Sequence, residues 1–401
     1  MKILIVHNYY GSAAPSGENT VFETERKLLF KQGHTVLEHI RHSDEIRDRG
    51  KFGIIQGALS TPWNPFSLHA IRSILINEQP DIMHVHNTFP LLSPAIYYAA
   101  KNLKTATVLT LHNYRTYCAA GIPMRNETSC IECLDKKTSI PSLKYGCYRD
   151  SKLATLPMAL MIELHRKIGT WTNNIDSFIA LTEFQKKTFI HAGLPEEKVY
   201  VKPHFYEGNS NSLKWNLRKD KIVFIGRLGK EKGCQYIIDV WEKWNDAPII
   251  EIIGDGPQKN ELQIQILKKN LSDKIKLLGQ QSYTETQKLL STVKLLIIPS
   301  ICFEGFPMVI REAFAHGVPV AGSDIGSIPD IVDDGVNGVL FKPGNSEDIL
   351  EKVKGLWNDQ DRLELLAKAA KEKFEKFYTA DINYQILMDI YQKAIENRKG
   401  K

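Results

Sequence analysis

Two carboxylates, Glu304 and Glu312, flank a Gly-Phe-Pro turn in the segment Ser300–Gly317. Carboxylates accept hydrogen bonds from paired hydroxyls, and the free amides of a helix start attract phosphate. Hydroxyls together with phosphate describe a sugar nucleotide. A plain capped helix start explains this one segment equally well. A second pair, Arg227 and Lys232, lies in Gly226-Arg-Leu-Gly-Lys-Glu-Lys-Gly233. A guanidinium grips phosphate oxygens in a fork and an ammonium adds a point charge, so the pair can neutralise a diphosphate. A solvated basic loop is the alternative. His86 and His112 each close an apolar run. Gly17 lies in a small-residue loop, Tyr10–Asn19, and can let the backbone approach a phosphate or sugar closely. Taken singly, structural imidazoles and an ordinary strand-to-helix turn would account for these three residues.

Such residues need a frame to position them. Short apolar runs alternate with helical patterns along the whole chain. The first series of expected strands is 2–7, 35–40, 81–86, 106–112, 176–181 and 198–201. The second is 221–226, 248–254, 274–278, 294–299, 318–321 and 338–341. Alternation of this kind predicts parallel sheets covered by helices on both faces, and runs such as Ile249-Ile-Glu-Ile-Ile253 suit strands buried on both sides. Between the two series, Lys202–Leu213 carries turn formers without periodicity and reads as a linker. The expected architecture is α/β, with two Rossmann-like doubly wound domains facing each other across a cleft, residues 1–205 and 206–378. A last helix, within 379–401, is expected to pack back on the first domain. In such sheets ligands bind beyond the carboxyl ends of the strands. His86, His112, Arg227 and Glu304 all fall at expected strand ends, and their agreement says more than any one of them.

Composition bounds the function. At 401 residues the chain suits two domains, and 43% hydrophobic with 24% charged residues is the balance of a globular protein. The formal charge of +6 is spread without the basic runs of a nucleic-acid tail. No apolar run is long enough to span a bilayer, and Met1–His7 reads as a first strand rather than a signal peptide. The expected location is cytoplasmic, which favours reduced thiols or metal ligands over disulfides for the six cysteines. The 226–233 loop is neither a Walker A loop nor a dinucleotide fingerprint, which weighs against a nicotinamide cofactor.

The chain resembles the retaining glycosyltransferases of family four, which have the GT-B fold. The resemblance rests on Gly226-Arg-Leu with Glu231-Lys-Gly233, on Ile253-Gly-Asp-Gly-Pro257, on Glu304-Gly-Phe with Arg311-Glu-Ala, and on Gly317-Val-Pro-Val320. It implies that Arg227 and Lys232 bind the donor diphosphate and that Glu312 holds ribose hydroxyls. Glu304 would contact the transferred sugar, helped by backbone amides of Gly305, Phe306, Pro307, Met308 and Val309, a span in which proline has no amide hydrogen to give. Gly17 would lie beside the phosphates, His112 near the sugar and His86 on the acceptor side, with Gly254 and Gly279 in turns around the nucleotide. The first domain would take the acceptor and the second the donor. The implied reaction moves a hexose-type sugar from a UDP- or GDP-sugar to a glycan or lipid-linked acceptor, with no cofactor required for catalysis. The implied setting is bacterial surface polysaccharide: lipopolysaccharide, O-antigen or capsule. A catalytically silent sugar-nucleotide-binding or scaffold subunit is the rival from another class.

Two segments lie outside that scheme. Within 113–150, Cys118, Cys130, Cys133 and Cys147 enclose a central C-x-x-C and make a candidate structural zinc site; free thiols are the alternative. Leu153–Leu164 is apolar and is followed by His165-Arg-Lys167. It reads either as a helix packed on the first sheet or as one lying in the interface of the inner membrane. The only D-x-D, Asp359-Gln-Asp361, is expected to be a solvated helical stretch rather than a metal site.

Overall fold

The computed structural model describes residues 1–12 and 16–400. The chain divides into two compact units. The first comprises 1–123, 130–203 and 383–401, and the second 124–129 and 204–382. The small segment 124–129, expected within the first domain, is thus grouped with the second. It carries a two-stranded antiparallel ribbon, β5 (Met124–Arg125) and β6 (Thr128–Ser129), too short to leave an alternating pattern in the sequence.

The first unit holds a six-stranded parallel sheet in the order β2-β1-β3-β4-β7-β8. Its strands are β1 (Lys2–Tyr9), β2 (Thr35–His42), β3 (Ile82–Val85), β4 (Ala106–Thr110), β7 (Ser177–Ala180) and β8 (Val199–Val201). Helix α1 (Gly17–Lys31) follows β1. Ser16 caps it by accepting from the Glu18 amide at 3.2 Å. Its buried stripe of Phe22, Glu25 and Leu29 has i, i+3, i+7 spacing, so a carboxylate rides on the apolar face.

The second unit repeats the plan in the order β11-β10-β9-β12-β13-β14, again parallel. Its strands are β9 (Lys219–Ile225), β10 (Ile249–Ile253), β11 (Ile275–Gly279), β12 (Val293–Ile298), β13 (Val320–Ser323) and β14 (Gly338–Phe341). Relative to β9 as the first strand of the unit, the order runs three, two, one, four, five, six, which is the dinucleotide-binding order with its switch point between β9 and β12. In the first unit the chain reverses direction across the sheet between β1 and β3. All twelve expected sheet strands form, because strands buried on both faces leave continuous apolar runs.

Each unit has its own core. In the second, Trp241 of the helix Cys234–Lys243 and Trp244 at its C-cap pack with Ile222, Phe224, Ile250 and Leu295. In the first, Ile3, Ile5, Phe22 and Val108 pack with Leu387, Ile390 and Tyr391 of the last helix, Ala380–Lys399. Burying each such side chain contributes about 1.5–3 kcal/mol, so the last helix is integral to that core. Asp359 does not sit within a helix; it accepts from the Arg362 amide and caps the helix Gln360–Phe377.

Candidate active site

In the second unit the loops leaving β9 and β12 are joined at the switch point. The β9 loop makes a single turn, Lys230–Lys232, and ends on Gly233 at φ +70°. A Cβ there would lie 2.0 Å from the Pro299 carbonyl oxygen, so only glycine lets the two loops meet. The Ile301 amide donates to the Glu231 carbonyl at 3.0 Å and fastens them together. On this base Lys232 Nζ lies 2.6 Å from Glu304 Oε1, which also accepts from Ser300 Oγ at 2.7 Å. Ser327 Oγ donates to the Glu304 carbonyl at 2.7 Å and fixes the turn. Burial works against the Lys232 ammonium, but the Glu304 carboxylate, with Cys302 and Glu231, outweighs it and holds its pKa above the ordinary lysine value.

Arg227 stands apart from that pair. Its side chain is 64% exposed and reaches Glu231 Oε1 at 3.2 Å. Gly254, at φ +146°, follows β10, and a Cβ would lie 1.9 Å from the Gly226 carbonyl oxygen. Its amide donates to Gly279 at the end of β11 at 2.9 Å. The three glycines thus line the carboxyl ends of β9, β10 and β11.

Helix Met308–Ala315 starts beyond Gly305 and Phe306, with Pro307 at its N-cap and no side-chain cap. The first-turn amides of Met308 and Val309 have no carbonyl within the helix to bind. Glu312 is buried one turn further, where Gln287 Nε2 donates to Oε2 at 2.8 Å and Arg311 lies 4.0 Å from Oε1. Burial raises the Glu312 pKa, against the pull of Arg311 and Gln287.

In the first unit, His86 follows β3 and His112 follows β4. His86 Nδ1 and His112 Nε2 are 3.0 Å apart, with the rings stacked at 5.2 Å. Gly17 is exposed at the start of α1. Its neighbour Glu18 accepts from Asn113 Nδ2 at 3.3 Å, which draws the α1 start toward the His112 turn. Burial pushes Glu18 up to about 7, against Arg115, Asn113 and Tyr10. A pocket open to solvent is lined by His86, Phe89, Thr110, His112, Asn113 and Arg115, among others. Of the loop Tyr10–Asn19, residues 13–15 lie outside the described residues.

The sequence reading missed Glu18, Glu25, His84 and Lys202. Glu25 gave a signal, because it breaks the apolar stripe of α1. So did His84, two positions before His86 and therefore on the same face. Lys202 sat at the edge of a supposed linker and gave none.

The four cysteines of the zinc expectation lie near enough to act on one another, since Cys118, Cys147 and Cys130 all add to the effect of burial on the Cys133 thiol. All four cysteines are half-buried, and none of them is in a disulfide. Burial pushes the Cys118 and Cys133 thiols up to about 11 and about 12. Among the described residues, the group that brings three ligand atoms within 4.8 Å of one another is Glu25, His84 and His86, not the cysteines. In that group Lys202 Nζ lies 2.7 Å from the other Glu25 oxygen, Oε2, and already balances the carboxylate charge.

A family model for glycosyl transferases group 1 matches residues 206–373, and one for glycosyltransferase family 4 matches residues 17–207. The sulfoquinovosyl transferase of Arabidopsis thaliana is 31% identical over 180 residues, 44% of this chain and 34% of that protein. The 2-deoxystreptamine N-acetyl-D-glucosaminyltransferase of Niallia circulans is 26% identical over 322 residues, 77% of this chain and 76% of that protein. The chain spans about a third to just over half the length of the first curated relatives it matches, 34%, 56% and 45%. Among solved structures, Anabaena HepE in complex with UDP shares the fold, with a TM-score of 0.70 at 17% identity over 98% of this chain and 100% of that one.

Proposed function

The chain belongs to the family 4 glycosyltransferases, and on that premise we propose that it moves a hexose-type sugar from a nucleotide-sugar donor to a carbohydrate or lipid-linked acceptor with retention of configuration. The observation that carries this reading is the junction of the β9 and β12 loops, where Lys232 and Glu304 pair at 2.6 Å and the exposed guanidinium of Arg227 reaches Glu231. Arg227 and Lys232 take the donor diphosphate. Glu312 takes ribose hydroxyls, Glu304 and the amides after it take the sugar, and Gly254 and Gly279 shape the nucleotide side. Gly17 serves the phosphates, His112 the sugar and His86 the acceptor.

The chemistry follows from charge. The bond between the anomeric carbon and the phosphate oxygen breaks, and its electron pair leaves on the diphosphate. The acceptor hydroxyl oxygen forms the new bond on the same face, and its proton passes to a diphosphate oxygen. Arg227, Lys232 and helix-start amides stabilise the developing negative charge by preorganised electrostatics. The scheme uses neither a protein nucleophile nor a metal. UDP, the nucleotide bound by HepE, is the first base to try, with GDP next. The proposed setting is cytoplasmic assembly of a surface polysaccharide such as lipopolysaccharide, O-antigen or capsule, which rests on the family alone.

The test is release of nucleoside diphosphate from a panel of UDP-, GDP-, ADP- and dTDP-sugars, with and without lipid-linked acceptors. Turnover is expected with at least one donor, falling roughly 100-fold in Arg227→Ala and in Glu304→Ala. Binding without turnover on every donor and acceptor would instead establish the silent subunit.

One surface favours a second partner. The helix Lys152–Lys167 leaves Leu153 81%, Leu160 52% and Leu156 39% exposed. It touches the helix Gly50–Ser60, whose Phe52 is 82% and Leu59 73% exposed. Apolar side chains beside Lys51, Lys152, Arg166 and Lys167 suit the interface of an anionic bilayer, here the inner membrane.

A further inference from the structure

Glu312 is held from behind by residues that no sequence motif marks. Gln287, on the helix Tyr283–Leu290, donates from Nε2 to Glu312 Oε2 at 2.8 Å. Its Oε1 meets His316 Nε2 at 3.1 Å and accepts from the Tyr206 hydroxyl at 3.0 Å. Glu312 and His316 are four positions apart, the spacing of neighbours on one helix face, so a single amide spans both. Tyr206, Glu312 and His316 are buried, and all four residues belong to the second unit.

These partners decide which way the amide points. An ionised carboxylate only accepts hydrogen bonds, whereas a tyrosine hydroxyl and an imidazole N–H can donate. With its NH2 toward Glu312, Gln287 gives a hydrogen to the acceptor and turns its oxygen to the two donors. Turned over, it would set that oxygen against the carboxylate. Arg311 lies 4.0 Å from Glu312 Oε1, beyond hydrogen-bond reach, and cannot replace the amide.

We infer that Gln287, itself held by Tyr206 and His316, keeps the Glu312 carboxylate in one orientation as an acceptor for ribose hydroxyls. Gln287 is a positioning residue that acts through Glu312. The orientation rests on the geometry, while the ribose partner rests on the glycosyltransferase reading. A hydrogen bond given to the ionised form favours that form. Burial raises the Glu312 pKa, and Arg311 and Gln287 pull against it. The phenols of Tyr206 and Tyr283 also face this carboxylate, whose charge adds to the burial that raises their own pKa. Without Gln287 the Glu312 pKa rises further, and affinity for a nucleotide is lost at a higher pH.

The experiment is calorimetric titration of the full chain with UDP, GDP, ADP or dTDP, whichever binds, between about pH 8 and pH 5. Gln287→Met keeps the side-chain length and removes the amide. Tyr206 retains an acceptor in the Asn209 carbonyl, 3.4 Å away. The pH at which affinity is half lost should move up by roughly one unit, the worth of a hydrogen bond to a charged group. His316 also titrates on this face, with a pKa lowered by burial. Glu312→Gln keeps His316 and both phenols, and adding Gln287→Met to it should leave the pH profile as it is. An unchanged midpoint in folded Gln287→Met overturns the inference, and so does an equal shift in the Glu312→Gln background. If Gln287→Met does not fold, Tyr206→Phe decides, by an upward shift or by an unchanged midpoint that overturns the inference. Wild-type protein that binds none of the nucleotides, or binds with an affinity independent of pH, refutes the ribose role of Glu312 and the inference with it. A pH-dependent wild type beside an unmoved Gln287→Met leaves that role standing and removes Gln287 alone.

Discussion

At the residue scale, burial makes the proposed ribose contact of Glu312 depend on pH. Its carboxyl is packed behind Gln287 and Arg311, and its pKa is raised by that burial. Only the ionised form offers two acceptor oxygens to paired ribose hydroxyls. Protonation removes one acceptor as pH falls through the raised pKa, so donor affinity should weaken at a higher pH than for an exposed glutamate. Calorimetric titration with UDP between about pH 8 and pH 5 should show this loss. Glu312→Gln should bind roughly 10-fold more weakly, in line with hydrogen bonds to a charged group, and with no such pH dependence. A wild-type affinity flat across the range removes Glu312 from the nucleotide. Lys232 and Glu304 are coupled differently, since each already has the other as partner at 2.6 Å. A ligand there must compete with that pair or extend it.

At the element scale, the second unit depends on strand ends that touch. The end of β10 meets the end of β9 because Gly254 has no side chain and takes φ +146°. In Gly254→Ala, the new Cβ would strike the Gly226 carbonyl and the residue would sit in a strained region, costing about 1–3 kcal/mol. For a unit of this size that lowers the melting temperature by roughly 2–4 °C per kcal/mol. Calorimetry should find that drop, and UDP binding should weaken as well, because the 226–233 loop starts where the strain falls. A variant with wild-type melting and wild-type binding would show that the contact is not needed. The sequence marks these glycines as turn formers, but which strand end each one meets follows from strand order, and strand order leaves no periodic signature.

At the scale of the whole molecule, no helix of the described residues is long and apolar enough to cross a membrane. The membrane contact proposed for this chain is adsorption through exposed side chains. The exposed Phe52, Leu59, Leu153 and Leu160 provide apolar area, and the nearby lysines and arginines provide charge. Flotation with anionic vesicles at low salt should carry the protein upward, and neutral vesicles should not. Salt should release it, because attraction between surface charges is screened within about 8 Å at physiological ionic strength. The Phe52→Ser, Leu153→Ser double variant should stay behind while remaining folded, since both side chains are largely exposed. Absence of flotation with anionic vesicles would remove this partner.

The sequence by itself determined the two six-stranded parallel sheets and the loops that carry Arg227, Lys232, Glu304 and Glu312. Parallel strands buried on both faces must be apolar throughout, and polar residues that interrupt the pattern at strand ends stand out. Tertiary structure alone decided who meets whom. It paired Lys232 with Glu304, put Glu25 and Lys202 behind His86, and brought in Asn383 and Tyr391 from the far end of the chain. A hydrogen bond or ion pair between distant segments needs only one residue from each, so it imposes no period on either. Burial then decides its effect, because the same carboxylate is a solvated charge on one helix face and a fixed acceptor on the other.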